Sequence, residues 1–383
     1  MIASAGTVSP LEHVSGLREQ WATRAAFFVV GVSVGGWAPL VPFAKERLSA
    51  DEASLGALLL CLGLGSMITM PVSGILLSRM GCRALILIPG IVLCLAMPLL
   101  AVASSFASLG VVLVAFGGAM GTMDVAMNTQ SVLVEKDSAK PMMSGFHGMW
   151  SVGGIAGSAF VSLMLWLGAT PPIGVVAVGC AALLSLAGPG MLPYGNKEAD
   201  VPLFVAPRGP VLFLGLLCFI VFLAEGVVLD WGALFLSDKG MDPAEAGFGY
   251  AAFATSMTIG RLFGDRVVAT IGGLRILLFG SLMVATGFTL AVYAPSPVTA
   301  IAGFLLVGAG ASNIVPVLFS LGGRQTLMPA SHAISAITTV AYAGVLLGPA
   351  MVGFVAHGTS LSIALLLVAA LMLMVTLGAR VAR

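Results

Sequence analysis

The chain has 383 residues, of which 59% are hydrophobic and 9% charged, and its formal net charge is +1. A soluble domain of this length needs a charged, hydrated surface that so few ionisable groups cannot supply. The near-neutral balance also argues against a nucleic-acid partner, because binding phosphates requires a basic patch.

Apolar stretches of about 18 residues or more, enough to cross the hydrocarbon core as helices, recur along the chain. The first twenty residues are mildly polar and lack an apolar core before a cleavage site, so no cleaved signal peptide is expected. Breaks at polar or Gly/Pro-rich clusters predict six spans in the first half, at 22–44, 54–76, 84–105, 107–133, 142–168 and 173–193. A polar stretch over 194–209, with Lys197, Glu198, Asp200 and Arg208, reads as a linker. Six further spans follow at 210–236, 247–268, 275–294, 298–321, 332–357 and 360–380. The expected architecture is all-α: twelve transmembrane helices in two pseudo-symmetric bundles, 1–193 and 210–383. The 49 glycines and 20 prolines sit largely inside apolar runs, which spanning helices tolerate better than soluble ones.

Basic residues test the count. With the N-terminus cytoplasmic, the inner segments hold Arg18, Arg24, Arg79, Arg83, Lys136, Lys140, Arg261, Arg266, Arg275 and Arg324, among others. The outer loops hold only Lys45, Arg47 and Lys239. That asymmetry predicts both termini in the cytoplasm. The halves also echo each other: Pro141 precedes span five as Pro329 precedes span eleven. Such duplication of a six-helix unit is a common transporter plan. The five cysteines show neither metal spacing nor an extracytoplasmic pair, so neither a disulfide framework nor a metal site is expected.

The loop after span two carries Gly74, Arg79, Gly81 and Arg83, and here the chain resembles the major facilitator superfamily. That family's signature has an acid where this chain has Ser78, and a degenerate echo runs from Gly264, Asp265 and Arg266 to Gly272 and Arg275. A second string joins Asp124, Asn128, Gln130 and Glu135 to Phe146, His147, Trp150, Ser151, Gly153 and Gly154. With Glu225, Asp230 and Trp231, it is similar to a bacterial branch with fucose-permease-like affinities. The resemblance implies alternating access by rocking of two bundles, with spans one, four, seven and ten lining the cavity. It also implies that the loop acid helps hold the bundles together on the cytoplasmic side. Ser78 can donate a hydrogen bond there but cannot form an ion pair.

Charge inside a bilayer is costly and calls for a reason. Asp124 on span four is read as a proton carrier or solute ligand, or as a buried acid satisfied by an inter-helix hydrogen bond. Asn128 lies one turn along its face, and Gly117 and Gly121 leave room there for a neighbouring helix or a solute. His147 on span five can exchange protons near neutral pH or stand as a hydrogen-bonded group at the cytoplasmic mouth. Glu225 near the middle of span seven and Asp230 further outward are further proton-coupling candidates. Trp37, Asn128, Gln130, Trp150, Ser151, Trp231, Asn313, Thr338, Thr339 and Tyr342 are candidates for the solute cavity. Each of the neutral groups also serves commonly as helix–helix glue. Arg261 and Asp265, four residues apart on one helix face, read as a structural ion pair near the gate.

These readings predict a secondary transporter of a small polar solute, sugar-like in one version, coupled to protons and acting as a monomer in the lipid bilayer. Neither a phosphate-binding Gly-x-x-x-x-Gly-Lys loop nor a His-Glu-x-x-His pair occurs, so neither ATP drive nor a zinc hydrolase is expected, and no cofactor is called for. A multidrug or metabolite exporter is the nearest alternative, with the 20 methionines and 20 phenylalanines suiting a greasy pocket. A non-transporting receptor on a carrier fold is the alternative from another class.

Overall fold

The computed structural model describes residues 16–50, 52–174, 176, 179, 207, 209–242 and 245–378. Most of the predicted sixth span and of the 194–209 linker, with Cys180, lies outside them, as do His13, Arg380 and Arg383. Every regular element among the described residues is helical. Span one is Leu17–Trp37, continued through a tight turn into a short helix, Val41–Leu48. Spans two and three run together as Glu52–Val102. Spans four and five are Phe106–Ser138 and Met143–Trp166. Spans seven, eight and nine are Pro210–Asp238, Phe248–Ile271 and Gly273–Tyr293. Span ten is split into Pro297–Ala311 and Ile314–Arg324, and spans eleven and twelve are Ala330–Gly358 and Leu361–Gly378.

Nine helices among the described residues are long and apolar enough to cross a membrane, and one of them contains both spans two and three. Span eight is not among the nine; it carries Arg261, Asp265 and Arg266. The expected loop between spans two and three shrinks to one residue: Gly81, at φ 78° and ψ 166°, breaks an otherwise continuous helix. Gly272 does the same between spans eight and nine, at φ 84° and ψ 150°. A side chain is disfavoured at such φ, so glycine is what permits these sharp reversals.

Those two glycines reveal the register of the duplication. They lie 191 residues apart (272 less 81), and so do the N-caps of spans four and ten, Ser105 and Ser296 (296 less 105). Each of these serines forms a reciprocal capping box, with Ser108 and Thr299 respectively. The outer cations follow the same plan. The Arg47 guanidinium donates to the carbonyls of Ala103 and Leu100 at the end of span three, at 2.8 and 2.9 Å. Lys239 Nζ donates to Val292 O and Ala294 O at the end of span nine, at 2.8 and 3.0 Å. Helix C-termini leave carbonyls unpaired and carry partial negative charge, so a cation there is stabilising. This gives two of the three basic residues on the cation-poor side of the chain a structural reason to be there.

Packing separates two hydrophobic cores. One gathers residues from Ala26 to Val161, with large buried side chains such as Phe27, Phe116 and Phe146. The other gathers residues from Val211 to Val375 and takes in only Val132 and Met143 from the first half. Within the first core, backbones touch through glycine. A Cβ at Gly117 would collide with the Leu62 carbonyl, and one at Gly35 with the Gly154 carbonyl. Close approach of this kind suits helices in lipid, where association rests on packing and hydrogen bonds.

The cores meet along seams that the described contacts close at the end carrying Gly81, Glu135 and Arg324. Span five packs on span eight, and span two on span eleven. Ser335 donates to Met70 O at 2.7 Å across the second of these seams.

Candidate functional site

Spans five, seven and ten converge on Arg261 of span eight. This side chain is buried, with its guanidinium only 3.8 Å from Glu225 Oε1 of span seven. Arg261 Nη1 donates to Ser151 Oγ of span five at 3.1 Å, and Nε reaches Ser312 O of span ten at 3.4 Å. His147, one turn below Ser151, lies within electrostatic reach of Arg261. Its ring sits between Phe27 and Phe319, with centroids 5.1 and 5.9 Å away, and its Nε2 is buried without a hydrogen-bond partner. The arrangement corrects the expected Arg261–Asp265 ion pair. Helical spacing puts those two on one face, but that face points into a crowded interface where each finds a different neighbour.

Asp265 instead crosses the seam to span five. Its Oδ2 accepts a hydrogen bond from the Gly145 N–H at 3.0 Å, while Oδ1 is buried without a partner. A Cβ at Gly145 would strike this carboxylate, so glycine is what admits it. Glu135 serves the same helix start from within its own half: its Oε2 accepts from the N–H groups of Met142 and Met143, at 2.8 and 2.9 Å. Two acids from opposite halves thus satisfy the unpaired N–H groups of one helix terminus, where negative charge is favoured. Glu135 Oε1 also lies 3.7 Å from Arg324 of span ten, whose side chain is 66% exposed. A small cavity of about 70 Å³ lies here, lined by Glu135, Ser144, Asp265, Pro316 and Arg324 among others.

Asp124 stands in a different electrical setting. It is buried, and among the described residues its carboxylate has no hydrogen-bond or ion-pair partner. Asn128 Nδ2 donates to the Asp124 backbone carbonyl, at 2.9 Å, and not to its side chain. Tyr342 of span eleven lies in its field and packs edge-on against Phe222. His147 faces Arg261 and is not brought to Asp124. The small residues beside Asp124 serve a helix: Gly117 and Gly121 abut Leu62 and Ser66 of span two, and Ser66 Oγ donates to Gly117 O at 2.8 Å.

The other candidates divide. Asn313 occupies the N-cap position of Ile314–Arg324 without capping it through its side chain, which donates to Gly260 O at 3.0 Å and to Ser312 Oγ at 2.9 Å. Its Oδ1 is left buried and unpaired, as are the carbonyl oxygens of Asn128 and Gln130 and the hydroxyl of Thr338. Thr339 bonds back to Ser335 O of its own helix at 2.7 Å. Trp37 is buried in the first core, and Trp150 is half-buried against it. Trp231 packs against Gly353 with its indole N–H unpaired, while Asp230 is exposed. In the signature loop Ser78 donates to Ile75 O of its own helix at 2.8 Å, Gly74 meets Ser335, and Arg79 and Arg83 are exposed.

Sequence reasoning missed the pairing of Arg261 with Glu225 and that of Arg324 with Glu135. One signal was available: an arginine thirteen residues into a span needs an acid, and Glu225 was the unclaimed acid at mid-membrane depth.

The Major Facilitator Superfamily profile matches residues 25–349. An uncharacterized MFS-type transporter of Yersinia pestis is 52% identical over 368 residues, covering 95% of this chain and 96% of the relative. Membrane protein MosC of Rhizobium meliloti is 28% identical over 352 residues, 90% of this chain and 85% of that protein. Among solved structures, the fold is similar to the transporter FucP in its outward conformation, with TM-score 0.80, 18% identity, and 95% and 98% of the two chains covered. It is also similar to the proton:xylose symporter XylE, with TM-score 0.75, 12% identity and 94% of each chain covered. A profile match over most of the chain, together with a close relative along nearly its whole length, identifies this protein as a member of the Major Facilitator Superfamily, a multi-pass membrane transporter.

Proposed function

We propose that the protein is a proton-coupled secondary transporter of a small polar solute in the bacterial inner membrane, with both termini cytoplasmic and one chain forming the whole pathway. The observation that carries this reading is Asp124: a buried carboxylate without a partner, on a span that faces the other half. An uncompensated charge in a low-dielectric wall is expensive, whereas a protonated carboxyl is not. Proton binding at such a group changes which conformations are affordable. Glu225 is the second proton site, held by Arg261 until it is protonated. FucP is named a fucose:proton symporter and XylE a proton:xylose symporter, which supports proton coupling here by analogy of fold.

The moving bodies are residues 1–193 and 210–383, joined through 194–209. The positive-inside rule makes the closed Gly81 end cytoplasmic. His147, Asn128, Gln130 and Thr338 each bury a polar atom without a hydrogen-bond partner, and this reading assigns them to the solute path. In proteoliposomes, solute addition drives a pH change that disappears in Asp124→Asn or Glu225→Gln. Full coupled uptake in both variants would sink the assignment of proton sites.

A further inference from the structure

We propose that the Glu225–Arg261 pair is a receptor for a monocarboxylate solute, with Arg261 binding the carboxylate and Glu225 holding the co-transported proton. This rests on the proton-coupled reading above and names the substrate class of that site.

The geometry of the pair is unusual for a structural salt bridge. The closest approach is 3.8 Å, beyond hydrogen-bond distance, and Glu225 Oε1 has no hydrogen-bond partner. The guanidinium offers five N–H donors. Nη1 goes to Ser151 Oγ and Nε reaches Ser312 O at a long 3.4 Å, while Nη2 has only the distant carboxylate. A buried arginine with donors to spare, facing a partly exposed acid, is built to exchange one carboxylate for another. Glu225 is also the more accessible partner, with its side chain 18% exposed against 6% for Arg261. Arginine's planar fork matches a carboxylate with two parallel hydrogen bonds.

Charge balance makes the exchange strict. With Glu225 ionised and no solute, the pair is neutral overall. With Glu225 protonated and a solute carboxylate on Arg261, the site is neutral again. The solute anion alone leaves one net negative charge, and a proton alone leaves one net positive charge. Either is costly to seal inside the membrane. Only the empty and doubly loaded states can therefore occlude and turn over.

The titratable and charged groups near Glu225 fit this role. Arg261 and Tyr250 come from span eight, Cys218 from its own span, and His147 of span five acts through Arg261. Span ten presents the neutral Ser312 and Asn313. Tyr342 of span eleven lies in the field of Asp124. Asp230 acts on Tyr250 from the exposed end of span seven. Arg261 is thus the one cation of this set that is charged at all working pH.

The test is calorimetric titration of the purified full chain in nanodiscs with lactate, gluconate and benzoate, each beside its neutral amide, and with L-fucose. Buffers of different ionisation enthalpy report protons taken up per ligand bound. At least one carboxylate is expected to bind with uptake of one proton, losing about tenfold in affinity per pH unit on the alkaline side. In Glu225→Gln that carboxylate still binds, but proton uptake and pH dependence vanish. Arg261→Gln loses binding by on the order of a hundredfold. The double variant Glu225→Gln/Arg261→Gln, which leaves no lone buried charge and guards against misfolding, loses it equally. The proposal is overturned if the amides bind as tightly as the acids, if the double variant still binds a carboxylate, or if none of the acids binds. L-Fucose binding with proton uptake that is lost in Asp124→Asn would overturn this inference and leave the proton-coupled reading standing. Carboxylate binding without any proton uptake would overturn both.

Discussion

The seam between spans five and eight and the seam between spans two and eleven occupy matching places in the duplicated plan, yet different chemistry holds each closed. Shifted by the interval that relates Gly81 to Gly272, Gly74 corresponds to Asp265 (265 less 74 is again 191). Asp265 accepts a hydrogen bond from the Gly145 N–H across one seam. At Gly74 there is no side chain, and Ser335 closes in instead, donating to Met70 O. One seam is therefore an electrostatic latch on a helix terminus and the other a steric fit with one hydrogen bond. The acid missing at Ser78 is not replaced within its own loop. The latching carboxylate sits in the other half.

Breaking the latch should have the largest effect. Asp265→Ala strands the Gly145 N–H at a buried helix start, a loss of about 1–3 kcal/mol to the closed state. That corresponds to a shift of roughly 5–150-fold toward cytoplasmic opening. Thiol labelling of a cysteine introduced at Ser144 should accelerate accordingly; unchanged labelling would mean that the latch carries no weight.

The steric seam is tested by filling it. A Cβ at Gly74 would lie 2.8 Å from Ser335 Cβ, so Gly74→Val forces spans two and eleven apart at a cost of about 1–3 kcal/mol. Spin labels on the two spans should report a wider cytoplasmic separation with the external separation reduced. Equal distances in variant and parent would show that this seam tolerates bulk. Removing only its hydrogen bond, by Ser335→Ala, is milder, at about 0.5–1.5 kcal/mol, and should shift the same distance distribution less than Gly74→Val does.

The smallest effect belongs to Arg324→Gln. Its ion pair with Glu135 is long and its side chain is largely exposed, so solvent screening holds the contribution below about 1 kcal/mol. Glu135 keeps its two backbone N–H donors in this variant. A transport defect larger than that of Asp265→Ala would reverse the ranking of these two contacts.

Much of the fold was legible in the residues. The apolar runs predicted the described spans to within several residues, because hydrocarbon thickness sets a length that composition can report. The break at Gly81 and the cap at Ser105 are local events with local sequence causes. Within the site, Asp124, Glu225, His147 and Ser151 were legible as anomalies, since polar groups stand out against lipid-compatible surroundings. Their partners were not. Depth along the helices said nothing of what His147 faces; it turns to Arg261 and two phenylalanines. Gly117 and Gly121 left room for either a neighbouring helix or a solute, and the structure puts span two there.

The sequence by itself determined that this protein is a duplicated bundle of membrane helices with a few intramembrane acids, because those properties depend on composition and period along one chain. Only the tertiary structure decided that Arg261 meets Glu225 and Ser151 while Asp265 meets Gly145. Periodicity says which residues share a helix face but not which neighbour that face meets. In a membrane, where an unpaired charge is costly, that choice of neighbour separates a structural ion pair from a site that can bind and release.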